Sequence, residues 1–336
     1  MTVAFAPDVD ADALDADVVD LLPRLESADA ATRRVALLEL ADLEDETALP
    51  LIEALLRRDP DREVRSEAAR VLASWASVSA VDALAQALLD EDEGVRAAAA
   101  LSLSGCNDVR LGPALTGWLS RPEPFVRATI LRALRELRYA PAFDAAYAAL
   151  DDGAAEVRAE AVGVLGWLRD ARAIDALARV THVDNDESVR RAATAALGMA
   201  NDAEHRALDA LLLALNDASW QVRESAAATL GKIGAQATRD ALIGAFEDPY
   251  WQVRVQAARS LGRLRDPAAI DVLSQALGHG ISNLRKEAAL ALGEIGDAAA
   301  VPALETATSD PDPDVRKAAR IALAQIGSGH AIKSQR

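Results

Sequence analysis

The side chains that could do chemistry in this sequence are few and scattered. Its histidines, His182, His205, His279 and His330, are followed by Val, Arg, Gly and Ala. None therefore opens a His-Glu-x-x-His helix turn, which would set two imidazoles and a general base around one zinc ion. No Cys-x-x-Cys pair and no Walker loop occurs. The Gly-x-x-Gly spacings at Gly231/Gly234 and Gly293/Gly296 are those of an amide cradle for phosphate, but both fall at one register of a repeat and read as turn glycines. Cys106 is the one cysteine. It stands in Ser-Gly-Cys-Asn-Asp with no base to draw off its proton, so it reads as a bystander, and it excludes an intrachain disulfide. Carboxylates are abundant, and no pair is set apart for acid–base work. The sequence reads as a binding protein rather than a catalyst, with no cofactor and no metal.

The groups suited to binding are more telling. Trp220-Gln221 and Tyr250-Trp251-Gln252 place two tryptophans at one register, three residues before an arginine. The other copies of that register hold Ala30, Arg62, Glu93, Pro124, Ala155, Glu187, Ser282 and Pro313. Most of these are small or polar, so the position is expected to be exposed, with the two tryptophans as neighbours. Trp, Tyr and Arg dominate binding hot spots; the structural alternative is an aromatic that caps the neighbouring unit's turn. At a second register lie Arg70, Arg132 and Arg259, with Leu101 and Gly163 at the same place in other copies. That pattern predicts a face with an apolar middle between basic flanks. The candidate partner contacts are Trp220, Gln221, Tyr250, Trp251, Gln252, Arg132 and Arg259. Trp75, Trp118 and Trp167 read as core.

These residues must be positioned by a repeat. The pattern Val-Arg-x-x-Ala-x-x-x-Leu begins at Val64, Val95, Val157, Val189, Val222, Val253 and Val315, with looser copies at Thr32, Val126 and Leu284. Its ten arginines, Arg33, Arg65, Arg96, Arg127, Arg158, Arg190, Arg223, Arg254, Arg285 and Arg316, are separated by 31 to 33 residues. Val, Ala and Leu at this spacing share one helical face. Glycine or a small residue follows the Leu and is expected to end the helix. A second signature, Ala-x-x-x-Leu, precedes each motif, as in AVDALAQAL from Ala80 and AIDVLSQAL from Ala269. Each unit is then helix, tight turn, helix. A lone hairpin cannot bury its apolar face, whereas a stack can. The prediction is an all-α superhelix of about ten hairpins, about 100 Å along its curve, with the Val-Arg helices on the inner side.

Asp stands six residues before the arginine at Asp59, Asp90, Asp152, Asp184, Asp217, Asp248 and Asp310, and is replaced by Ser27, Arg121 and His279. Carboxylate and guanidinium at fixed register predict a ladder between stacked units, formed with Arg65, Arg96, Arg158, Arg190, Arg223, Arg254 and Arg316. A two-pronged bond to carboxylate explains why Arg is used rather than Lys.

With the Asp, the Val-Arg pair and the Ala-Leu-Gly ending, the units resemble HEAT repeats, of the phycobilisome-lyase HEAT-like kind, over about residues 15–327. The resemblance implies a scaffold that binds another protein through its concave face. It also implies an alternative, a bilin-lyase-like or maturation factor that holds a ligand and its acceptor protein. Deoxyhypusine hydroxylase, an enzyme with similar repeats, binds two irons through His-Glu pairs. No histidine here is followed by Glu, so the resemblance does not carry that activity over.

Bulk properties agree. Of 336 residues, 51% are hydrophobic and only 4% aromatic, which favours an Ala/Leu-built helical core. The net charge of −17 repels phosphate backbones, so nucleic acid is not the expected partner. It favours solubility and basic partners, and a salty cytoplasm would select the same acidity. No apolar run of membrane-spanning length occurs, and the N-terminus does not read as a secretory signal, so a cytoplasmic location is expected. Residues 1–14 are expected to be a flexible acidic segment and 328–336 a flexible tail.

Overall fold

The Val, Ala and Leu of the repeated motif converge on one buried stripe that runs through the repeats, with half-buried Thr32 in the first and half-buried Leu323 in the last. Val64, Val95, Val126, Val157, Val189, Val222, Val253, Leu284 and Val315 are all buried, as are Leu72, Leu103, Leu134, Leu165, Leu197, Leu230, Leu261 and Leu292. Each such side chain contributes about 1.5–3 kcal/mol when removed from water. The computed structural model describes residues 14–333, with side chains through residue 328. The described residues form helices joined by short turns and no strand.

The chain divides into two compact units, Met1–Val164 and Leu165–Arg336. In the first, helices come in pairs: α1 (Ala16–Leu25) with α2 (Ala30–Asp42), α3 (Leu49–Arg58) with α4 (Arg62–Val71), α5 (Val78–Ala87) with α6 (Glu93–Ser104), and α7 (Gly112–Gly117) with α8 (Pro124–Glu136). After α9 (Phe143–Ala148) comes α10 (Ala155–Leu168), within which the boundary falls. The second unit continues with α11 (Ile174–Val183) and α12 (Glu187–Ala196), α13 (His205–Ala214) and α14 (Trp220–Ile233), and α15 (Arg239–Gly244) and α16 (Trp251–Leu264). It ends with α17 (Ile270–Ala276) and α18 (Ser282–Ile295), then α19 (Val301–Ala307) and α20 (Pro313–Lys333). Even-numbered helices carry the Val-Arg motif. They pack in series, α2 on α4 on α6 on α8 in the first unit and α12 through α20 in the second. Odd-numbered helices form a second layer against them.

Helix ends follow local chemistry. Asp61, Asp92 and Asp186 accept hydrogen bonds from the first free amides of α4, α6 and α12, each such cap stabilising by about 1 kcal/mol. The glycine after the motif Leu does not end its helix, contrary to expectation. Gly231, Gly262 and Gly293 lie inside α14, α16 and α18. A Cβ on Gly262 would come within 2.8 Å of the Ala291 backbone, and one on Gly293 within 2.7 Å of that of Ala322. Glycine is used here so that neighbouring even-numbered helices can touch. The helices end three residues later, at Gly234 and Gly296 with φ of 77° and 73°, or at Arg265 with φ of 53°. That left-handed conformation is the one glycine adopts without strain.

The tryptophans expected in the core are not fully buried. Trp167 is exposed in the last turn of α10, Trp75 is half-buried, and half-buried Trp118 donates its indole N–H to Asp82 at 2.8 Å. A layer spaced by Ala and Leu has no room for an indole, so these rings sit at its edges. α20 is helical through Lys333, where a tail from residue 328 was expected. Nearly all of the N-terminal segment 1–14, and residues 334–336, lie outside the described residues.

Candidate functional site

The ladder residues come together as a clamp between successive units. Arg33 donates through Nε and Nη2 to both carboxylate oxygens of Asp59, each at 2.7 Å. The same two-pronged bond joins Arg65 to Asp90, Arg127 to Asp152, Arg190 to Asp217, Arg223 to Asp248 and Arg285 to Asp310, at 2.6–3.0 Å. Each arginine thus reaches the Asp of the following unit. Its Nη1 turns back to its own unit, where Arg65 bonds the Asp59 carbonyl at 3.0 Å and Arg223 the Asp217 carbonyl at 2.7 Å. The carboxylate also accepts the amide two residues on, as Asp217 does from Ser219 at 2.8 Å. Charge and polar groups in this half-buried row are therefore mutually satisfied, which is what makes burying them tolerable. Burial raises the Asp217 carboxyl, yet the Arg190 bonds and the Ser219 amide outweigh it and leave that group below the ordinary carboxylate range. Bonds from Arg285 hold Asp310 low in the same way.

Two rungs depart from this pattern. At one, His279 stands for Asp: its Nδ1 accepts the Ile281 amide at 3.0 Å and its Nε2 faces Arg254 Nη1 at 3.2 Å. Arg254 Nε is buried without a partner. At the other, Arg96 keeps its backward bonds, Nη1 to the Asp90 and Glu91 carbonyls at 2.8 and 3.0 Å, but the next unit offers Arg121 in place of a carboxylate. Arg121 forms an ion pair with Glu123, Nε to Oε2 at 3.4 Å with no hydrogen bond made by either atom, and its guanidinium lies over the Trp118 ring. The Nε and Nη2 of Arg96 have no partner among the described residues.

A groove of about 1140 Å³ opens beside this broken rung, between α6 and α8. Ala97, Ala100 and Leu101 of α6 and Phe125 of α8 supply its apolar wall, and Arg96 lies on it. Leu101 is 74% exposed and Phe125 43%. Two local changes make room. Ser104 holds in α6 the register that glycine holds in α14, α16 and α18. The turn before α8 reads Arg-Pro-Glu-Pro-Phe, so Asp is lost from the rung and Pro124 starts the helix with no side-chain cap. Leu101 was legible as the apolar middle of the face. Phe125 and the open fork of Arg96 were missed, although Arg121, Pro122 and Pro124 together signalled the departure from the repeat.

The other candidate contacts are more occupied than expected. Trp220 is half-buried and stacks on Tyr250, with ring centroids 5.7 Å apart and planes 13° from parallel. The Arg223 guanidinium also lies over the Tyr250 ring, 5.5 Å from its centroid. Trp220 therefore meets Tyr250 of the next unit, which ties α14 to the start of α16. Trp251 remains 36% exposed and Tyr250 45%. Gln221 accepts from Ser219 at 2.8 Å, and Gln252 Oε1 is buried without a partner. Arg132 and Arg259 are not free cations. Each grips a glutamate of the next unit, Arg132 to Glu160 at 2.6 and 2.8 Å, Arg259 to Glu287 at 2.9 Å. Arg132 also lines the α6/α8 groove. Cys106 sits in a small pocket with Trp75 and Leu111, and burial raises its thiol above the ordinary range.

The family model for HEAT repeats matches residues 18–104, 51–128, 112–198, 183–252, 208–282 and 275–334. The chain is a HEAT-repeat protein. No curated protein matches this HEAT-repeat chain. Among solved structures it is similar to an engineered protein, with a TM-score of 0.52 and 22% identity over 93% of this chain and 99% of the other. It is also similar to a chain in a structure of Kap95p with RanGDP (TM-score 0.61, 14% identity, 93% of this chain and 52% of that one). A chain in the Kap95:Nup1 complex is a further likeness (TM-score 0.64, 15% identity, 92% and 50%). The HEAT-repeat protein spans about half the length of those last two chains, and at these identities the likeness is one of fold. Among the described residues no helix is long and apolar enough to cross a membrane, and no cluster of three His, Cys, Asp or Glu side chains is placed to hold a metal ion.

Proposed function

We propose that this HEAT-repeat protein is a scaffold that binds another protein on the face of its even-numbered helices, principally in the α6/α8 groove. The observation that carries this is the exposure of Leu101 and Phe125 together on one groove wall. Other large apolar side chains are exposed along the described residues, but Leu101 at 74% is the most exposed of them, and its pairing with Phe125 on one groove wall marks a place to be covered. The structures of Kap95p with RanGDP and of the Kap95:Nup1 complex support the idea that this fold serves protein binding. Trp251 and Tyr250 offer a second, smaller exposed surface on the other compact unit.

A photo-crosslinking side chain at Ala97, on the groove wall, is expected to capture a discrete partner in the source cell. The same group at Gln86, exposed on α5, is expected to capture none. Equal labelling from both positions would remove the groove from the reading. The lyase-like alternative rests on the resemblance to phycobilisome-lyase repeats, and a visible absorption band that copurifies with the protein is the result that would favour it.

A further inference from the structure

The groove's polar anchor is specific in its chemistry. Six arginines of the described ladder each hold a carboxylate through Nε and Nη2. Arg96 presents the same fork, fixed by the same Nη1 bonds to its own turn, and has no carboxylate to hold. It is half-buried and borders the groove whose wall exposes Leu101 and Phe125. A guanidinium fork held in place loses little entropy on binding a planar anion, so a carboxylate is the ligand it fits best.

We propose that the α6/α8 groove takes a linear segment of a partner protein that carries one Asp or Glu beside a large apolar side chain. The partner's carboxylate completes the missing rung on Arg96, and its apolar side chain covers Leu101 and Phe125. Glu93, Glu123 and Glu136 also line the groove, and Asp90 beside them is held by Arg65, so the segment is restricted to a single acid, at the Arg96 fork, with neutral or basic neighbours. This matches the protein's −17 net charge, which repels a wholly acidic partner. The inference rests on the scaffold reading above and adds the chemistry of what binds.

The test uses the full-length protein and short random peptides displayed on phage, followed by anisotropy measurements with the selected peptides made synthetically. Selected sequences are expected to share an Asp or Glu next to Leu, Ile, Phe or Trp. Changing that acid to its amide is expected to weaken binding at least about tenfold, the scale of a charge-assisted pair. Arg121→Asp is expected to restore an internal carboxylate to the rung. It should weaken the peptide by a similar factor without lowering the thermal midpoint, which separates the effect from misfolding. Peptides without an acid, no selected peptide at all, or an amide form that binds as well as the acid would each overturn the proposal. If Leu101→Asp abolishes binding while the amide exchange does not, the scaffold reading stands and the carboxylate rung falls. If neither change matters, both fall. A self-association that Leu101→Asp dissolves would make a second copy the occupant and would likewise overturn it.

Discussion

His279→Asp is the sharpest test of the ladder. A neutral imidazole has one acceptor and one donor nitrogen. Nδ1 accepts the Ile281 amide, so Nε2 carries the proton and turns a donor toward the Arg254 guanidinium, also a donor, 3.2 Å away. Arg254 Nε is left buried and unbonded. At the flanking rungs, Arg223–Asp248 and Arg285–Asp310, two charge-assisted bonds of 2.6–3.0 Å occupy the same place. An Asp at 279 would keep the acceptor for Ile281 and supply both prongs for Arg254. Hydrogen bonds to charged groups contribute about 1.5–3 kcal/mol each, and burying the new carboxylate takes back a large part. The expected net gain is about 1–2 kcal/mol, a rise of roughly 2–8 °C in the midpoint for a unit of this size. Calorimetry of the full chain at neutral pH reads it directly. The gain should vanish when Arg254→Met is combined with His279→Asp. A midpoint that is unchanged or lowered would show that the rungs do not stabilise the stack and would refute the clamp as its organising contact.

Other consequences follow from the same geometry. The Arg33 and Asp59 side chains are 2% and 0% exposed, so Asp59→Ala strands a buried guanidinium and should cost about 3–5 kcal/mol in urea titration. Asp310→Ala, whose partner Arg285 is 12% exposed, should cost less. Gly293→Ala should lose about 1–3 kcal/mol, because its Cβ would press on the Ala322 backbone. Gly117→Ala, with nothing within 4 Å, should be neutral or slightly stabilising in the same thermal melts. Because Asp217, Asp248 and Asp310 titrate below the ordinary carboxylate range in the folded chain, their contribution is fully present above about pH 4 and is lost as pH falls through the lowered values. Circular dichroism across pH 2–6 should show helix lost only in the acid part of that range. Trp220→Ala removes the stack on Tyr250 and should lower the midpoint by about 1 kcal/mol equivalent, while Trp251→Ala, 36% exposed, should change it less.

Much of this protein is local and therefore legible. The period of 31 to 33 residues, the buried Val, Ala and Leu stripe, and the choice of Arg and Asp at fixed register are encoded in spacings of three, four and six residues. Such spacings determine which groups share a helix face before any helix meets another. What an extended side chain reaches is decided by the distance to the next helix. Only the packed structure shows that Arg33 takes Asp59 of the following unit rather than the carboxylate nearest in sequence. The same applies to Arg132 and Arg259, read as free basic flanks but paired with Glu160 and Glu287, 28 residues away. It applies to Gly262 and Gly293, read as helix ends but used where two helix backbones touch. Trp220 and Trp251 looked equivalent by register, yet Trp220 is half-buried against Tyr250 while Trp251 stays exposed. The groups that could do chemistry are scattered in the sequence, and the packed chain leaves an open fork at Arg96 beside a groove. That fork depends on a missing Asp at position 121, visible in the sequence as one of three such departures, with Ser27 and His279, among ten repeats. Its meaning came from the groove that the irregularity opens.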